Sequence, residues 1–437
     1  MFTRKIAILF LFSTVLAHGE VHSLTLEQAL ELAARQNPDV TLARLDQQRA
    51  TAGIRVAQDP FRPKVYLGSG DAYIYGYPNT IEGSAPSLFQ VQGQMAIYNR
   101  PKSYQLAGAR ETARGSQYGA QAKAEDVAYQ AADLFLTLSQ IEHQSEITAN
   151  ELPSLQKVAD STTAAVNEGT ELPLELKRAQ VNLEMAQQQL EAANLDSDYY
   201  AMMLALVVGY PAADRVKTAP SDFSAIVTPP SEDAAADAAL RNNKELIQMQ
   251  SNVLAKQMEF RSFKAERLPQ VDLVAQYAYF LKQNYVQYFP SAKFQANNVE
   301  LGASVKVPIL VGPAARAYSE QAAIDMQKIR IQMDQTRNRI LADTRRSYEQ
   351  WKKAETIRKL AKMQLDFARE EVSVLLAQNS EGRTPLREVE HARLEESSRW
   401  IALYDAETQV ARAKFAILRQ TGNLVASVTA MRGTPQP

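Results

Sequence analysis

Residues 103–166 read SYQLAGARETARGSQYGAQAKAEDVAYQAADLFLTLSQIEHQSEITANELPSLQKVADSTTAAV. From residue 127 onward, apolar or small side chains recur at alternating intervals of four and three, which is the heptad seam of a coiled coil. The seam consists of Val127, Ala131, Leu134, Leu138, Ile141, Ser145, Thr148, Leu152, Leu155, Ala159, Thr162 and Val166. Pro153 removes one backbone hydrogen bond and bends the helix without ending it, because the seam continues in register beyond it. At about 1.5 Å per residue the stretch predicts a helix of ~96 Å, too long for a compact domain.

The same order of elements is predicted twice along the chain. The first half contains a helix, a β-hairpin, the long helix, a turn and another helix. These elements lie at residues 24–58, up to about 98, 103–166, 167–173 and 174–208. Residues 210–230 are rich in Pro and Ala and predict a linker with little regular structure. The same order then returns: a helix at residues 234–267, a β-hairpin up to residue 310, a long helix at 313–378, a turn at 379–385 and a last helix at 386–420.

Landmark residues in the two halves keep a constant offset, which indicates a tandem duplication. The offset is 206 residues before the hairpins and 213 after the long helices, so the second hairpin is longer by about six residues. The pairs are Val40 and Leu246, Pro63 and Pro269, Val65 and Val271, Pro101 and Pro313, Gly169 and Gly382, Ala179 and Ala392, and Gly209 and Gly422. We therefore divide the chain into a signal segment (1–23), a first repeat (24–232) and a second repeat (233–437).

The N-terminal segment has the layout of a secretory signal, with Arg4 and Lys5 before an apolar run and small residues after it. Cleavage candidates are Val21-His22-Ser23 and Ala17-His18-Gly19. A membrane anchor is the alternative, but the apolar run is short for ~30 Å of hydrocarbon. The sequence has no cysteine, so it predicts neither disulfides nor a lipid-anchored cysteine. A net charge of −1 gives no reason to expect nucleic acid as a partner.

Four segments alternate apolar and polar residues and predict β-strands near residues 65–75, 88–98, 271–281 and 299–309. Each is about as long as the ~9–11 residues of a strand that crosses a bilayer. Their connecting loops carry aromatic residues suited to a membrane interface, namely Tyr73, Tyr75, Tyr77, Tyr285, Tyr288 and Phe289. A soluble sheet with one wet face is the alternative. Because four strands cannot close a barrel, the membrane interpretation requires several subunits.

This tandem order resembles the TolC-type outer membrane factors of Gram-negative bacteria, over nearly all of the chain after the signal. The supporting motifs are LTLEQAL at residues 24–30 with Asn37-Pro38, the helix exits Arg62-Pro63-Lys64-Val65 and Leu268-Pro269-Gln270-Val271, and Val307-Pro308-Ile309. Two turns add to these motifs. Gly169-Thr170 and Gly382-Arg383 are each followed six residues later by an acidic and an aliphatic residue, Glu175-Leu176 and Glu388-Val389.

The resemblance implies a mainly α fold with a small β part. It implies a homotrimer, in which twelve strands form an outer-membrane β-barrel and the long helices form a periplasmic α-barrel. It also implies a passive export channel in contact with outer-membrane lipid, with a periplasmic adaptor and an inner-membrane pump as partners. The expected adaptor contacts lie at the two turns: Gly169, Thr170, Leu172, Gly382, Arg383, Pro385 and Leu386.

By the same resemblance, Glu175, Glu388 and His391 lie at the channel constriction. A ring of carboxylates in a narrow pore attracts cations. The alternative is that both glutamates are acids of a first helical turn, where the helix dipole favours them. The two roles are compatible, and the sequence leaves both open.

Two other classes of function were weighed against the channel. A soluble periplasmic adaptor or scaffold also combines long helical hairpins with β structure, but adaptors carry one hairpin where this chain has two in tandem. An enzyme would need a site, and the sequence offers no HExxH motif, no cysteine and no phosphate-binding glycine loop. His143 and His391 are therefore expected to be exposed coiled-coil residues, and Trp351 a packing residue. We predict no catalytic residues, no metal and no cofactor.

Overall fold

The computed structural model describes residues 19–69, 87–221, 226–280 and 295–431. The signal residues 1–18 and the aromatic loops at 70–86 and 281–294 lie outside these ranges. So do the end of the first predicted strand and the C-terminal residues 432–437. The described residues form two units, which are treated separately below. Unit 1 holds residues up to 42, 122–243 and 339 onward, and unit 2 holds 43–121 and 244–338.

The two repeats contain the predicted order of helices and strands. In the first repeat these are α1 (Leu26–Gln36), α2 (Pro38–Gln58), β2 (Lys64–Gly68), β3 (Phe89–Tyr98), α3 (Arg100–Asn167) and α4 (Pro173–Val208). In the second repeat they are α5 (Glu232–Asn242), α6 (Lys244–Lys264), β5 (Gln270–Tyr279), β6 (Asn297–Lys306), α7 (Pro313–Ser380) and α8 (Leu386–Gln420). Outside this pattern lie β1 (Val21–Leu24), β4 (Arg215–Thr218) and α9 (Leu424–Met431).

The long helix α3 runs from Arg100 to Asn167 without a break at Pro153, as the seam predicted. Its counterpart α7 has the same length, 68 residues. In unit 1 the middle of α3 buries Phe135, Leu136 and Leu138 completely. Each such side chain contributes about 1.5–3 kcal/mol by leaving water. They belong to a core that also includes residues of α1, the ends of α4 and α8, and α9.

The linker prediction for residues 210–230 was wrong for four of its residues. Arg215–Thr218 forms β4, which pairs in parallel with β1 at Val21–Leu24. Val216 is buried in the unit 1 core. His22 adds an Nε2···Oδ2 contact of 3.2 Å to Asp214, and its ring stacks on Tyr210. The pattern was missed because each strand has four residues, too few for a periodic signal, and its partner lies about 194 positions away.

One side-chain hydrogen bond occurs in both repeats, and we call it the clamp. It joins the asparagine between the first two helices of the repeat (α1 and α2, or α5 and α6) to the end of the repeat's last helix (α4 or α8). Asn37 donates from Nδ2 to the Val207 carbonyl over 2.9 Å, and Gly209 next to it has φ 99°. In the second repeat, Asn243 donates from Nδ2 to the Gln420 carbonyl over 3.0 Å. Gly422 ends that clamp with φ 65°. The glycines are required because the left-handed conformation and a close backbone approach both exclude a β-carbon.

The clamp predicts different costs for alanine at glycines of similar φ. A β-carbon at Gly209 would meet the Gln36 carbonyl oxygen at 3.0 Å, and one at Gly422 the Asn242 oxygen at 2.7 Å. At Gly169 a β-carbon would meet nothing within 4 Å, so Gly169→Ala costs only the left-handed strain of about 1–2 kcal/mol. We expect Gly209→Ala and Gly422→Ala to lower the thermal unfolding midpoint clearly more than Gly169→Ala. Equal shifts for all three variants would contradict the clamp.

Glu142 of α3 gives a prediction about pH. Burial raises the pKa of this carboxyl, although the hydroxyl and the backbone N–H of Thr218 both donate to it and oppose that effect. A raised folded-state pKa means that the charged form costs stability at neutral pH. That cost disappears as the pH falls through the raised pKa toward the ordinary value of 4.5.

We therefore expect Glu142→Gln, which keeps an oxygen acceptor for Thr218, to be slightly more stable than the parent at pH 7. The difference should be below about 1 kcal/mol because the group is only half buried. Thermal unfolding followed between pH 7 and pH 4.5 should show the gap closing. Exposed Glu146, one turn further along α3, provides the matched control Glu146→Gln, which should show no such trend.

The β1–β4 pairing also bears on processing of the N-terminus. Cleavage after Ser23 would remove three of the four residues of β1, whereas cleavage after Gly19 would leave the strand intact. It would also keep Glu20, whose backbone N–H donates to Asp214 Oδ1 over 3.1 Å. We predict that the exported chain begins at or before Glu20. The intact mass of protein purified from the cell envelope tests this, and a chain starting at Leu24 would contradict it.

Candidate functional site

The sheet of unit 2 has one apolar and one polar face. Its strand order is β2-β3-β5-β6, with all neighbours antiparallel. Residues paired directly across strands share a face. One row joins Leu67, Val91, Tyr277 and Val299, and another joins Val65, Gly93, Ala275 and Leu301. A row of the opposite face joins Tyr66, Gln92, Gln276 and Glu300. The alternation predicted for these segments is confirmed.

Apolar side chains of this sheet remain in contact with solvent. Leu67, Val299 and Leu301 are 70%, 74% and 76% exposed, respectively. They lie on β2 and β6, the two strands that pair on one side only within the described part of the chain. The sheet therefore has open edges and an uncovered apolar face. In water this arrangement is unfavourable: an exposed apolar face marks a contact with protein or lipid, and open edges can pair with further strands.

The first candidate contact surface in unit 1 is the turn between α3 and α4. Gly169 adopts φ 74°, a left-handed conformation that glycine adopts without steric cost. Thr170 closes the turn with two bonds to the Ala165 carbonyl, one from its backbone N–H and one from its hydroxyl, each 2.9 Å. Leu172 precedes α4 and is 67% exposed. The turn is thus a rigid backbone loop that presents an apolar side chain.

The corresponding turn between α7 and α8 has backbone hydrogen bonds at the same positions as the first turn but different side-chain hydrogen bonds. Gly382 adopts φ 72° and the Arg383 N–H donates to the Gln378 carbonyl over 2.9 Å. Asn379 donates from Nδ2 to the Thr384 carbonyl over 2.7 Å, which has no counterpart in the first turn. Pro385 then precedes α8, whose first residue is Leu386. This turn presents the charged Arg383, which pairs with Glu381 at 3.1 Å.

A single ion pair joins the two turns. The Arg387 guanidinium lies 3.4 Å from Glu171 Oε1. Both side chains are partly exposed, so water screens the pair, and its contribution to stability is at most about 1 kcal/mol. Because the ion pair is this weak, a ligand or partner that binds Glu171 or Arg387 can replace it at little cost in free energy.

The three predicted constriction residues line one cavity of 340 Å³ beside the turns. Glu175 of α4 and Glu388 and His391 of α8 form part of its wall, together with Glu171 and Arg387. Leu155, Val158, Ala179 and Leu394 supply an apolar lining. Both glutamates also lie in the first turn of their helices, as the alternative role required. The cavity can attract cations through its carboxylates.

The two glutamates have different neighbours at equivalent positions. Glu175 accepts from Arg178 Nη1 at 3.1 and 3.2 Å, so its charge is largely compensated. The offset of 213 residues places His391 at the position of Arg178. Glu388 therefore has an imidazole three residues along the helix where Glu175 has a permanent cation. Of the two carboxylates, Glu388 has the less compensated charge.

Sequence reasoning brought Glu175, Glu388 and His391 to the cavity but missed four charged residues around it: Glu171, Arg178, Arg387 and Glu390. The repeat offset could have found Arg178, because it aligns with His391. The contact between Glu171 and Arg387 joins residues 216 positions apart and leaves no trace in the sequence pattern.

The histidine prediction was right for one residue and wrong for the other. His391 is exposed, but His143 is only half exposed. The His143 ring lies against Tyr404 with centroids 4.2 Å apart, and its Nε2 is buried without a hydrogen-bond partner among the described residues. Trp351 packs beside buried Tyr348, as predicted. Within the described ranges, no group of His, Asp and Glu is arranged to hold a metal, and no helix is long and apolar enough to cross a membrane.

Comparison with known families identifies the kind of protein that has this sequence. The sequence model for "Outer membrane efflux protein" matches residues 29–209 and 235–423, one segment in each repeat. The matched segments cover most of the chain and leave out residues 210–234, which include β4. No curated protein sequence matches this chain significantly.

Solved structures share the fold at low sequence identity. The CmeC outer membrane channel of Campylobacter jejuni has a TM-score of 0.70 at 13% identity, covering 91% of this chain and 86% of that one. The outer membrane protein VceC of Vibrio cholerae has a TM-score of 0.69 at 13% identity, covering 91% and 96%. The open state of the MtrE outer membrane channel of Neisseria gonorrhoeae has a TM-score of 0.66 at 12% identity, covering 92% and 89%.

Proposed function

Because this chain belongs to the outer membrane efflux protein family and is an efflux channel of the outer membrane, we propose that three copies of it assemble into one conduit. It lies in the outer membrane and extends into the periplasm. In the proposed trimer, twelve strands close a β-barrel in the membrane and the long helices form the wall of a periplasmic tunnel. The channel is passive: it supplies a path, while an inner-membrane pump supplies energy.

The observation that carries the trimer is the open sheet of unit 2. A four-stranded sheet with two free edges cannot stand in hydrocarbon, since unpaired N–H and C=O groups there cost several kcal/mol each. Pairing β6 of one copy with β2 of the next satisfies both edges at once. Three copies give an even-stranded closed barrel of the kind that membranes accommodate.

The helices of unit 1 also have an apolar surface that neighbouring copies would cover. Leu360, Phe367 and Val374 recur every seven residues along α7 and are 55%, 68% and 49% exposed. A heptad stripe of this kind is the seam of a coiled coil, and it needs a partner helix. In the trimer, helices of the neighbouring copies cover it. The soluble adaptor alternative is not favoured, because the family match extends over both repeats.

The two turns are the proposed contacts for a periplasmic adaptor. Gly169, Thr170 and Leu172 form one surface, and Gly382, Arg383, Pro385 and Leu386 form the other. The residues at equivalent positions differ, with exposed Leu174 in the first turn region and Arg387 in the second. An adaptor that engages both turns would therefore meet an apolar and a basic surface in alternation.

The cavity beside the turns is the proposed constriction. In single-channel recordings in planar bilayers, we expect the parent protein to prefer cations and Glu175→Gln with Glu388→Gln to lose much of that preference. Of the single variants, Glu388→Gln should have the larger effect, because Arg178 already compensates Glu175. The matched control is Glu184→Gln, which removes an exposed carboxylate of α4 that does not line the cavity.

These recordings separate the two levels of the proposal. Unchanged selectivity in the double variant would remove the constriction role of Glu175, Glu388 and His391 while leaving the channel in place. A purified chain that stays monomeric in buffer without detergent, and conducts nothing in bilayers, would contradict the trimeric channel itself.

A further inference from the structure

The two junctions between hairpin and long helix differ between the repeats. In the first repeat β3 ends at Tyr98 and α3 begins at Arg100. Asn99 between them is buried, and its Oδ1 accepts from the Lys102 N–H at 3.1 Å. In the second repeat β6 ends at Lys306 and α7 begins only at Pro313. The intervening residues 307–312 read VPILVG. The junction is thus a single capping residue, Asn99, in the first repeat and a six-residue apolar segment in the second.

This apolar segment is strongly exposed. Ile309 and Leu310 are 98% and 93% exposed, which is extreme for aliphatic side chains outside a terminus. Val307 before them is 58% exposed. The segment follows directly from Val299, Leu301 and Val305 on the apolar face of β6. It therefore prolongs the surface that faces lipid toward the helices of unit 2.

Beside the segment lies a groove of 720 Å³ between the end of α6 and the start of α7. We call it the junction groove; its lining includes Phe260, Phe263, Lys264, Arg267, Ile309 and Arg316. Phe263 stacks on Tyr318 with ring centroids 5.3 Å apart, which fixes one side. Gly312 and Ala315, around the start of α7, also line the groove. It thus combines an apolar floor with a cationic rim.

The cations of the rim are weakly compensated. Lys264 lies over the Phe260 ring at 4.4 Å, and Arg316 pairs with Glu320 at 3.2 Å. No ion pair of Arg267 occurs in the described part of the chain, and its side chain is exposed. The wider junction is also basic: residues 59–64, 98–102, 261–272 and 304–320 hold nine Lys and Arg against four Asp and Glu. Such a basic zone beside an apolar surface attracts anionic headgroups.

We propose that the junction groove binds the phosphate headgroup of an anionic glycerophospholipid in the periplasmic leaflet of the outer membrane, with Ile309 and Leu310 at the boundary between its headgroup and its acyl chains. This inference rests on the proposed function, which puts the sheet in the bilayer and the helices in the periplasm. The helix-proximal ends of the strands then lie at the periplasmic headgroup level. Lys264 and Arg267 extend to the phosphate while their aliphatic stems stay on the apolar floor.

Lipid fits the groove better than a second copy of the chain does. A sister copy could cover Ile309 and Leu310, but a protein interface would then have to bury the cations of the rim without counter-charges, which is costly. A phospholipid supplies an anion for the rim and hydrocarbon for the segment at the same place. Free phosphate would satisfy the rim but would leave the two aliphatic residues in water.

The first test measures lipid retention by the detergent-purified assembly in native mass spectrometry. Phosphatidylglycerol should bind more tightly than phosphatidylcholine, and Lys264→Gln with Arg267→Gln should weaken it about tenfold or more, since charge-assisted contacts are lost. The control Lys328→Gln with Arg330→Gln makes the same charge change on an exposed part of α7 outside the groove, and should retain lipid normally.

Two results would overturn the proposal at this step. One is equal retention of both lipids by the parent. The other is complete displacement of phosphatidylglycerol by millimolar inorganic phosphate, which would make the groove a site for the free anion.

The second test uses the absence of native cysteine to place spin labels at Ile309→Cys and Leu301→Cys in vesicles containing phosphatidylglycerol. Accessibility to oxygen, which partitions into lipid, and to a water-soluble nickel complex reports depth. We expect the label at 301 in the hydrocarbon and the label at 309 at the headgroup boundary, accessible to both reagents. A label at 309 shielded from both would indicate a neighbouring copy, and one reached only by nickel would indicate water; either overturns the lipid site.

The label at 301 separates this failure from that of the proposed function. If the label at 301 lies in hydrocarbon and the label at 309 does not reach the boundary, only the lipid site is wrong. If the label at 301 itself is reached only by nickel, the sheet is not in the bilayer, and the membrane channel fails together with the lipid site.

Discussion

Backbone hydrogen bonding at the sheet edges is the constraint on which the rest of this molecule depends. The strands β2 and β6 each leave one row of N–H and C=O groups unpaired within the described chain. The apolar face beside these edges is uncovered, and whatever covers it will remove water from the edges as well. Neither problem can be solved inside one protomer, because four strands are too few to close on themselves. In the proposed trimer, association of the copies completes the sheet and covers the large apolar side chains that are exposed in a single copy.

In the proposed trimer, the duplication lets each chain supply two equivalent sets of elements to the channel wall. Each repeat contributes two strands and one long helix, and each ends with the same clamp: Asn37 against Val207 in one repeat and Asn243 against Gln420 in the other. The clamp attaches the junction of the first two helices to the end of the last helix, so the helices of the two repeats are held at equivalent points. The features that both repeats share in this way are required by the backbone. They are an asparagine amide that donates to a carbonyl at the end of the last helix, and a glycine where a β-carbon would collide with that asparagine's neighbour.

The sequence predicted those features that leave a local periodic or steric trace. The seam of α3 was readable because coiled-coil packing imposes a heptad, and Pro153 did not mislead because the seam stays in phase beyond it. The turn glycines Gly169 and Gly382 stand out in both repeats of the sequence because left-handed backbone selects glycine. By contrast, the pairing of β1 with β4 and the contact of Glu171 with Arg387 join segments about 194 and 216 residues apart. Such contacts depend on tertiary geometry that a single sequence does not record.

Two differences between the repeats lie where the proposed assembly has partners. Glu175 and Glu388 are shared, yet Arg178 is replaced by His391. Asn99 caps one hairpin junction, whereas the exposed VPILVG segment follows β6 at the other. One of these differences lies in the cavity beside the turns, and the other lies at the hairpin junction. In the proposed assembly the first meets ions and an adaptor, and the second meets lipid. In the proposed trimer, these two places give each subunit two chemically distinct surfaces on a common helical framework.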